Sequence, residues 1–178
     1  MQRKTSAPDW PGEIHRVLKS QRVRQVSYVP DAGHKRLIEL CQDDRGMASV
    51  PLTTEEEGIG LAAGAWLGGD RAVLLTQSSG VGNCVNALTL AANCGFPLLM
   101  LVTMRGEWGE FNPWQVPMGQ ATPEVLRLAG VRSLRLDRAE KAFDTVAAAA
   151  KLAFDSYAAV AVLIAQRLIG TKSFGEKP

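Results

Sequence analysis

Two kinds of hydrophobic pattern alternate along this 178-residue chain. Short apolar runs predict strands, and they lie at 23–29, 47–52, 72–76, 97–103, 131–136 and 159–165. The run at 97–103 is apolar on both faces, which predicts a central strand. The run at 131–136 alternates apolar and basic residues, which predicts a strand nearer an edge.

Apolar residues at helical spacing separate these runs. Predicted helices begin at Asp9-Trp10-Pro11, follow the turn at 30–33, begin again at Thr53, and cover 83–93, 122–128 and 139–157. The segments 77–82 and 104–120 show no helical period and are predicted loops. The alternation predicts an α/β fold, a doubly wound, mostly parallel sheet of about six strands with helices on both faces. We expect a single domain over 1–178, with a core at about 12–168 and short polar tails.

Ligands of such folds bind beyond the carboxyl ends of the strands. The loops predicted at that edge are 30–35, 52–57, 77–83 and 104–120. Any chemistry of this chain is therefore expected in those four segments.

Composition and charge exclude several classes of function. Hydrophobic residues make up 46% of the chain, as in a globular protein, and the net charge of +2 gives no case for nucleic-acid binding. No apolar run reaches the roughly 18 residues of a membrane span, and the first residues do not resemble a signal peptide, so we expect a cytoplasmic protein. Three cysteines without close CxxC spacing and two histidines argue against a disulfide framework and a zinc site.

Three carboxylates, Glu55, Glu56 and Glu57, begin the helix that follows Thr53. A capping box can form between Thr53 and Glu56 or between Thr54 and Glu57. Either alternative leaves Glu55 without a capping role. Helical spacing does not choose a functional residue, because Glu55 and Glu56 each head an apolar row; the rows are Ile59, Ala62 and Trp66, and Gly60, Ala63 and Leu67.

The other candidate loops each allow two interpretations. The Gly-rich turn at 77–83 can present backbone N–H groups to a ligand, but it lacks the GxGxxG and P-loop patterns and by itself is typical of a tight turn. The 104–120 loop, with three aromatic residues, folds on its own domain, or it is a lid or an interface with another chain. Arg105 can bind an anionic group, although a surface arginine is the commoner case. His34 and Lys35 can bind an acid or move a proton, although a lone histidine is more often structural.

Four motifs together carry a resemblance to a known family. They are TTEEEGIGLAAG at 53–64, QSSGVGN at 77–83, Arg105-Gly106, and QVPMGQAT at 115–122. In this order the chain resembles, from about 23 to 165, the pyrimidine-binding domain of thiamine diphosphate-dependent 2-oxo acid decarboxylases. The likeness is strongest to sulfopyruvate decarboxylase alpha subunits, then to phosphonopyruvate decarboxylases.

The resemblance implies roles for named residues. In that family the catalytic glutamate stands nine residues before the helix glycine, and counting back from Gly64 gives Glu55. It would hydrogen-bond the pyrimidine N1′ and favour the imino form whose nitrogen activates the thiazolium ring for attack on the 2-oxo acid. Implied cofactor contacts are Glu55, Gln77, Ser79, Gly80, Val81, Gly82 and Asn83, and weaker substrate candidates are His34, Lys35, Arg105 and Gln115.

The resemblance also implies a partner chain. In the family a second domain with a Gly-Asp-Gly motif holds the diphosphate and Mg²⁺, and Gly69-Asp70-Arg71 lacks the second glycine and precedes a predicted strand. The expectation is therefore a beta chain that supplies Mg²⁺ and the diphosphate site, no metal ligand here, and a homo-oligomer.

Sulfopyruvate or a similar small anionic 2-oxo acid is the expected substrate. Gln115 stands where the phosphonopyruvate relative has His, which favours the sulfonate branch. Ser78 stands where both relatives usually carry Asn, which leaves the substrate open. The alternatives are a subunit of a phosphonopyruvate or other 2-oxo acid decarboxylase, or a non-catalytic assembly subunit that retains the fold.

Overall fold

Six parallel strands form one sheet in the computed structural model, which describes residues 9–170. The strand order is β2-β1-β3-β4-β6-β5. The strands are β1 (Val23–Tyr28), β2 (Ala48–Pro51), β3 (Arg71–Gln77), β4 (Leu98–Thr103), β5 (Arg132–Leu136) and β6 (Ala159–Ile164). The predicted α/β class and parallel sheet are confirmed, while parts of the predicted polar tails, 1–8 and 171–178, lie outside the described residues.

Helices cover both faces of the sheet. They are α1 (Trp10–Ser20), α2 (Lys35–Asp43), α3 (Glu55–Leu67), α4 (Ser78–Cys84), α5 (Leu88–Cys94), α6 (Gln115–Leu128), α7 (Ala142–Ser156) and α8 (Gln166–Ile169). Side chains of α1, α2 and α7 share one core with Val73 and Leu75 of β3. Side chains of α3 to α6 share the other core with Leu74, because successive strand residues point to opposite faces.

Two strand positions agree with the sequence patterns. Strand β4 is buried at all six residues and lies inside the sheet, as its continuous apolar run predicts. Strand β5 forms an edge, and its exposed residues include Arg132 and Arg135. Alternation of apolar and basic residues therefore marks the solvent-facing strand correctly.

The connections diverge between β1 and β3. The chain leaves β1 toward α2 on one face, whereas it leaves β3 directly into α4 on the other face. Diverging connections open a crevice at the carboxyl ends of the two strands, which is where open α/β sheets bind ligands. The loop after β1 and the start of α4 therefore lie at the same edge.

The predicted loop at 77–82 is wrong, because β3 passes directly into helix α4. The predicted helix at 83–93 is divided between α4 and α5, with turns at 85–87. Glycine disfavours a helix interior, but Gly80 and Gly82 allow α4 to lie against neighbouring side chains. A Cβ on Gly82 would lie 3.4 Å from the Met118 sulfur.

The predicted loop at 104–120 is only partly correct, since α6 begins at Gln115 and continues through Pro117 and Pro123. Pro117 lies in the first turn, where an N–H has no partner within the helix. Pro123 lies in the helix interior, where proline is disfavoured. The sequence therefore predicted a helix that begins at 122 instead of at Gln115. Close packing stabilises helix α6 in spite of this proline. A Cβ on Gly119 would overlap the Arg105 carbonyl oxygen and lie 2.9 Å from the Gly106 Cα.

The predicted helix at 139–157 is found as a 3₁₀ turn, Ala139–Lys141, followed by α7. It ends at Tyr157, whose φ of 51° is left-handed. Across residues 9–170, no helix combines the length and apolar character needed to cross a membrane.

Candidate active site

Glu55 is the first residue of helix α3 and is only 6% exposed. The amide nitrogen of Asn83 donates a hydrogen bond of 2.7 Å to its Oε2 atom. The two residues belong to α3 and α4, which follow β2 and β3 at the carboxyl edge of the sheet. A nearly buried carboxylate with a neutral donor beside it is placed to hold or exchange a proton with a bound ligand.

The neighbouring glutamates do not share this position. Thr54 is the N-cap of α3, and the Glu57 carboxylate accepts hydrogen bonds from the backbone N–H groups of Thr53 at 2.9 Å and Thr54 at 3.5 Å. The Thr54–Glu57 alternative is therefore the one that the structure contains. Glu56 is exposed, so Glu55 alone combines burial with freedom from the cap.

Gly80 brings the backbone of α4 against the Glu55 carboxylate. A Cβ at this position would overlap Thr76 Oγ1 and Glu55 Oε1 and would lie 2.6 Å from Glu55 Cδ. Gly58 allows a similar approach of α3 to β3, because its Cβ would lie 2.6 Å from Leu74 Cδ1. Two glycines therefore fix the position of the carboxylate, one beneath the helix and one beside the side chain.

Two buried glutamine oxygens at this edge have no hydrogen-bond partner among the described residues. They are Oε1 of Gln77, the last residue of β3, and Oε1 of Gln115, the first residue of α6. Burying an unpaired amide oxygen costs roughly 1–3 kcal/mol. Such atoms are suited to accept from N–H or O–H groups of a ligand.

The remaining predicted cofactor residues differ in what they can offer. Ser79 and Gly82 are half-buried and Asn83 is exposed at the edge. Val81 is fully buried in the core that includes Ile59, so its side chain packs inward. The structure brings Glu55, Gly80 and Asn83 into contact, and the contact of these residues with a cofactor stays a prediction.

Arg105 is already engaged by a residue that the sequence did not single out. Its guanidinium forms two hydrogen bonds of 2.7 Å to the Glu110 carboxylate, whose side chain is 3% exposed. The Arg105 hydrogen bond lowers the pKa of Glu110 to about 2, against the opposing effect of burial, and donors from Asn112, Gln166 and Gly106 support it. The only advance signal for this pair was the spacing of five residues between opposite charges.

Gln166 also holds the loop at 105–110 by hydrogen bonds. Its Oε1 accepts from the backbone N–H groups of Glu107 at 2.9 Å and Trp108 at 3.0 Å, and its Nε2 donates to Glu110 at 2.8 Å. No sequence pattern indicated this role. Of the alternatives for the loop, packing on its own domain is what the structure shows for 105–110.

A cavity of about 110 Å³ lies beside Arg105. Asp31, Gly33, Thr103 and Ile169 also line it, and the Thr103 hydroxyl donates to Asp31 at 2.7 Å. Asp31 belongs to the candidate loop at 30–35, although sequence reasoning gave it no role.

His34 lies in the interior. Its Nε2 is 3.1 Å from the Thr76 carbonyl oxygen and 3.0 Å from that of Leu101, so this nitrogen carries the proton because carbonyls only accept. Burial lowers the pKa of His34, which favours the neutral ring. The side chain therefore links the ends of β3 and β4, while Lys35 is exposed; a substrate contact for either stays a prediction.

Comparisons with known sequences and structures find relatives of this chain. Residues 13–122 match the family model of the thiamine pyrophosphate enzyme, N-terminal TPP binding domain. Sulfopyruvate decarboxylase subunit alpha of Methanococcus maripaludis is 32% identical over 152 residues, which are 85% of this chain and 91% of the relative. The subunit alpha of Methanothermobacter thermautotrophicus is 36% identical over 76% of this chain and 83% of the relative.

Longer proteins match over part of their length. Phosphonopyruvate decarboxylase of Streptomyces viridochromogenes is 37% identical over 60% of this chain, which spans 27% of that protein. The structure of 2-oxoglutarate:ferredoxin oxidoreductase from Magnetococcus marinus superposes with a TM-score of 0.75 at 16% identity, over 90% of this chain and 29% of the larger one. At that identity the superposition shows a shared fold. Since the family model covers more than half of the chain, and two alpha subunits align over most of their length, the chain belongs to the thiamine pyrophosphate enzymes, with their N-terminal TPP-binding domain.

Proposed function

We propose that this chain is the pyrimidine-binding subunit of a thiamine diphosphate-dependent decarboxylase that acts on sulfopyruvate or a similar anionic 2-oxo acid. The observation that carries the proposal is the buried Glu55 carboxylate, held by Asn83 and enclosed by Gly80. The names of the alpha-subunit relatives support the choice of substrate.

The residues present fit the pyrimidine end of the cofactor. Glu55 would hold or accept the proton at the ring nitrogen N1′, and its low exposure keeps water from competing for that position. The unpaired Gln77 oxygen is available to an exocyclic amino group. When bound, the cofactor supplies the electron sink that stabilises the charge left by departing CO₂.

Asn83 and Gly80 would position the carboxylate. The Asn83 amide engages one oxygen and thereby restrains the side chain, while the absence of a Cβ at Gly80 leaves room for the other oxygen. Such restraint matters because a displacement of about 1 Å at a catalytic group can cost on the order of 100-fold in rate.

We propose that a second chain holds the diphosphate and Mg²⁺. Among residues 9–170, no group of three His, Cys, Asp or Glu side chains is placed to hold a metal ion. Relatives that are named subunit alpha support a two-chain enzyme. We therefore propose a beta chain that completes the site against the carboxyl edge of this sheet.

The test is Glu55→Gln, measured in the complex of this chain with the proposed beta chain. Decarboxylation should fall by about 100-fold or more, the usual range for loss of an acid–base group, while the complex still forms. Glu56→Gln is the matched control, because Glu56 is exposed one residue away. Normal turnover by Glu55→Gln would overturn the assignment.

A substrate panel tests the second part of the proposal. Sulfopyruvate, phosphonopyruvate and pyruvate are compared by kcat/KM in the same complex, with sulfopyruvate expected to be preferred. Preference for another acid would move the substrate assignment while leaving the role of Glu55 intact. Calorimetry that detects no thiamine diphosphate binding to the complex would contradict an enzymatic role.

A further inference from the structure

An exposed apolar surface surrounds Trp114 at the start of helix α6. We call it the Trp114 patch and define it as Pro113, Trp114, Val116 and Pro117, all of which are exposed. The Trp114 side chain is 77% exposed, an unusually large exposure for tryptophan in a globular protein. No charged residue occurs from 111 to 123, although charged residues make up 21% of the whole chain. Interface cores are depleted of charge and enriched in tryptophan in this way.

Polar contacts hold the patch in a defined position. The Asn112 side chain accepts from the Trp114 backbone N–H at 3.2 Å, and the Asn112 N–H donates to Glu110 at 3.1 Å. Glu110 is in turn bound by Arg105 and Gln166. A surface that is ordered before binding loses little conformational entropy when a partner arrives.

The patch is continuous with the candidate site. Met118 lies one helical turn after Trp114 on the same side of α6, and its sulfur would be 3.4 Å from a Cβ on Gly82. Gly82 precedes Asn83, the donor to Glu55. A chain that covers the patch therefore also reaches the edge where the cofactor is proposed to bind.

We propose that the Trp114 patch is the docking surface for the beta chain, an inference that rests on the proposed function. The charged side chains of the segment 105–110, which precedes the patch in the chain, are engaged within this chain, since Arg105 pairs with Glu110 and Arg135 pairs with Glu107. The complementary surface of the beta chain is accordingly apolar, with a pocket for the indole ring. A second copy of this chain fits less well, because a symmetric contact through the patch would place two Glu55 sites together and supply neither with a diphosphate site.

The test compares Trp114→Ser with Leu128→Ser in binding to the co-expressed beta chain, by calorimetry. Leu128 is 71% exposed on the same helix, about 21 Å from Trp114 at 1.5 Å per residue. Trp114→Ser should weaken the complex by about 30-fold or more, the loss typical of an interface hot spot. Leu128→Ser should bind as the unsubstituted chain does.

Further measurements separate the outcomes. Pro117→Arg places a charge in the patch and should weaken binding as well, so a folding defect of Trp114→Ser does not decide the result. Normal binding by the folded Trp114→Ser and Pro117→Arg variants overturns the docking proposal. Self-association of the chain that is lost in Trp114→Ser, without an effect on beta-chain binding, also overturns it. An inactive Glu55→Gln variant that assembles normally shows that the function holds independently of the docking result.

Discussion

The Asn83 amide and the Glu55 carboxylate are joined by a 2.7 Å hydrogen bond although 28 residues separate them in the chain. The bond joins the penultimate residue of α4 to the first residue of α3. The bond therefore restrains the Glu55 side chain, at the start of α3, against the neighbouring helix α4. Since both helices follow parallel strands of one sheet, the rigid core determines where the carboxylate lies.

Removal of the Asn83 amide should misplace the carboxylate without unfolding the protein. We expect Asn83→Ala to lower kcat by on the order of 10-fold to 100-fold, because Glu55 loses its restraint. Steady-state kinetics of the assembled enzyme measures the effect. Asn86→Ala, three residues away and exposed, should leave kcat unchanged. Equal kcat values for the two variants would show that Asn83 does not position Glu55.

Two glycines of neighbouring helices should respond in opposite ways to alanine. In Gly80→Ala the new Cβ overlaps Thr76 Oγ1 and Glu55 Oε1, so we expect a loss of about 1–3 kcal/mol in the free energy of unfolding. In Gly60→Ala the Cβ meets no atom within 4 Å, so the helix should gain about 0.5–1 kcal/mol. Urea unfolding of the isolated chain distinguishes them. Stabilisation by Gly80→Ala would contradict the close packing at the carboxylate.

Glu110 should contribute stability that is lost in acid. Its folded pKa of about 2 lies below the ordinary 4.5, so the carboxylate stabilises the fold above pH 4.5 and this contribution disappears as the pH falls through about 2. A difference of this size corresponds to about 3 kcal/mol. Between pH 5 and pH 2, Glu110→Gln should therefore lose about 3 kcal/mol less stability than the unsubstituted chain, in urea titrations at each pH. Parallel pH profiles would show that the Arg105–Glu110 pair adds nothing.

His34 should also make the fold less stable as the pH falls, in a higher pH range than Glu110. Burial lowers its pKa in the folded state, so a proton binds the unfolded chain more readily. The contribution to stability is complete above the ordinary pKa of about 6.5 and declines as the pH falls below it. His34→Gln, which keeps a donor but does not titrate, should show a shallower decline from pH 7.5 to 5.5. His15→Gln serves as the control, and an unchanged slope in His34→Gln would refute the assignment.

The sequence predicted the sheet well because its strands are continuous apolar runs. Strand β4 at the centre and β5 at the edge follow directly from their patterns. The helices at the carboxyl edge were predicted less well. Glycine and proline oppose helix formation locally, and at Gly80, Gly119 and Pro123 tertiary packing overrides that preference.

The candidate site, too, was predicted well in one part and missed in another. Capping logic left Glu55 without a structural role, and the structure assigns the cap to Glu57. The hydrogen bond from Gln166 to Glu110, the partner of Arg105, was not visible, because it joins residues 56 positions apart. Long-range side-chain contacts have no periodic signal in a single sequence, whereas local capping does.

The division of labour at the start of helix α3 has an evolutionary consequence. Thr54 and Glu57 form the capping box of α3, so Glu55 takes no part in the cap. A duplicated copy of this chain that exchanged Glu55 for another residue would retain the scaffold and its assembly surface. New chemistry, or a subunit that only regulates its partner, is therefore accessible from this fold by a change at a single codon.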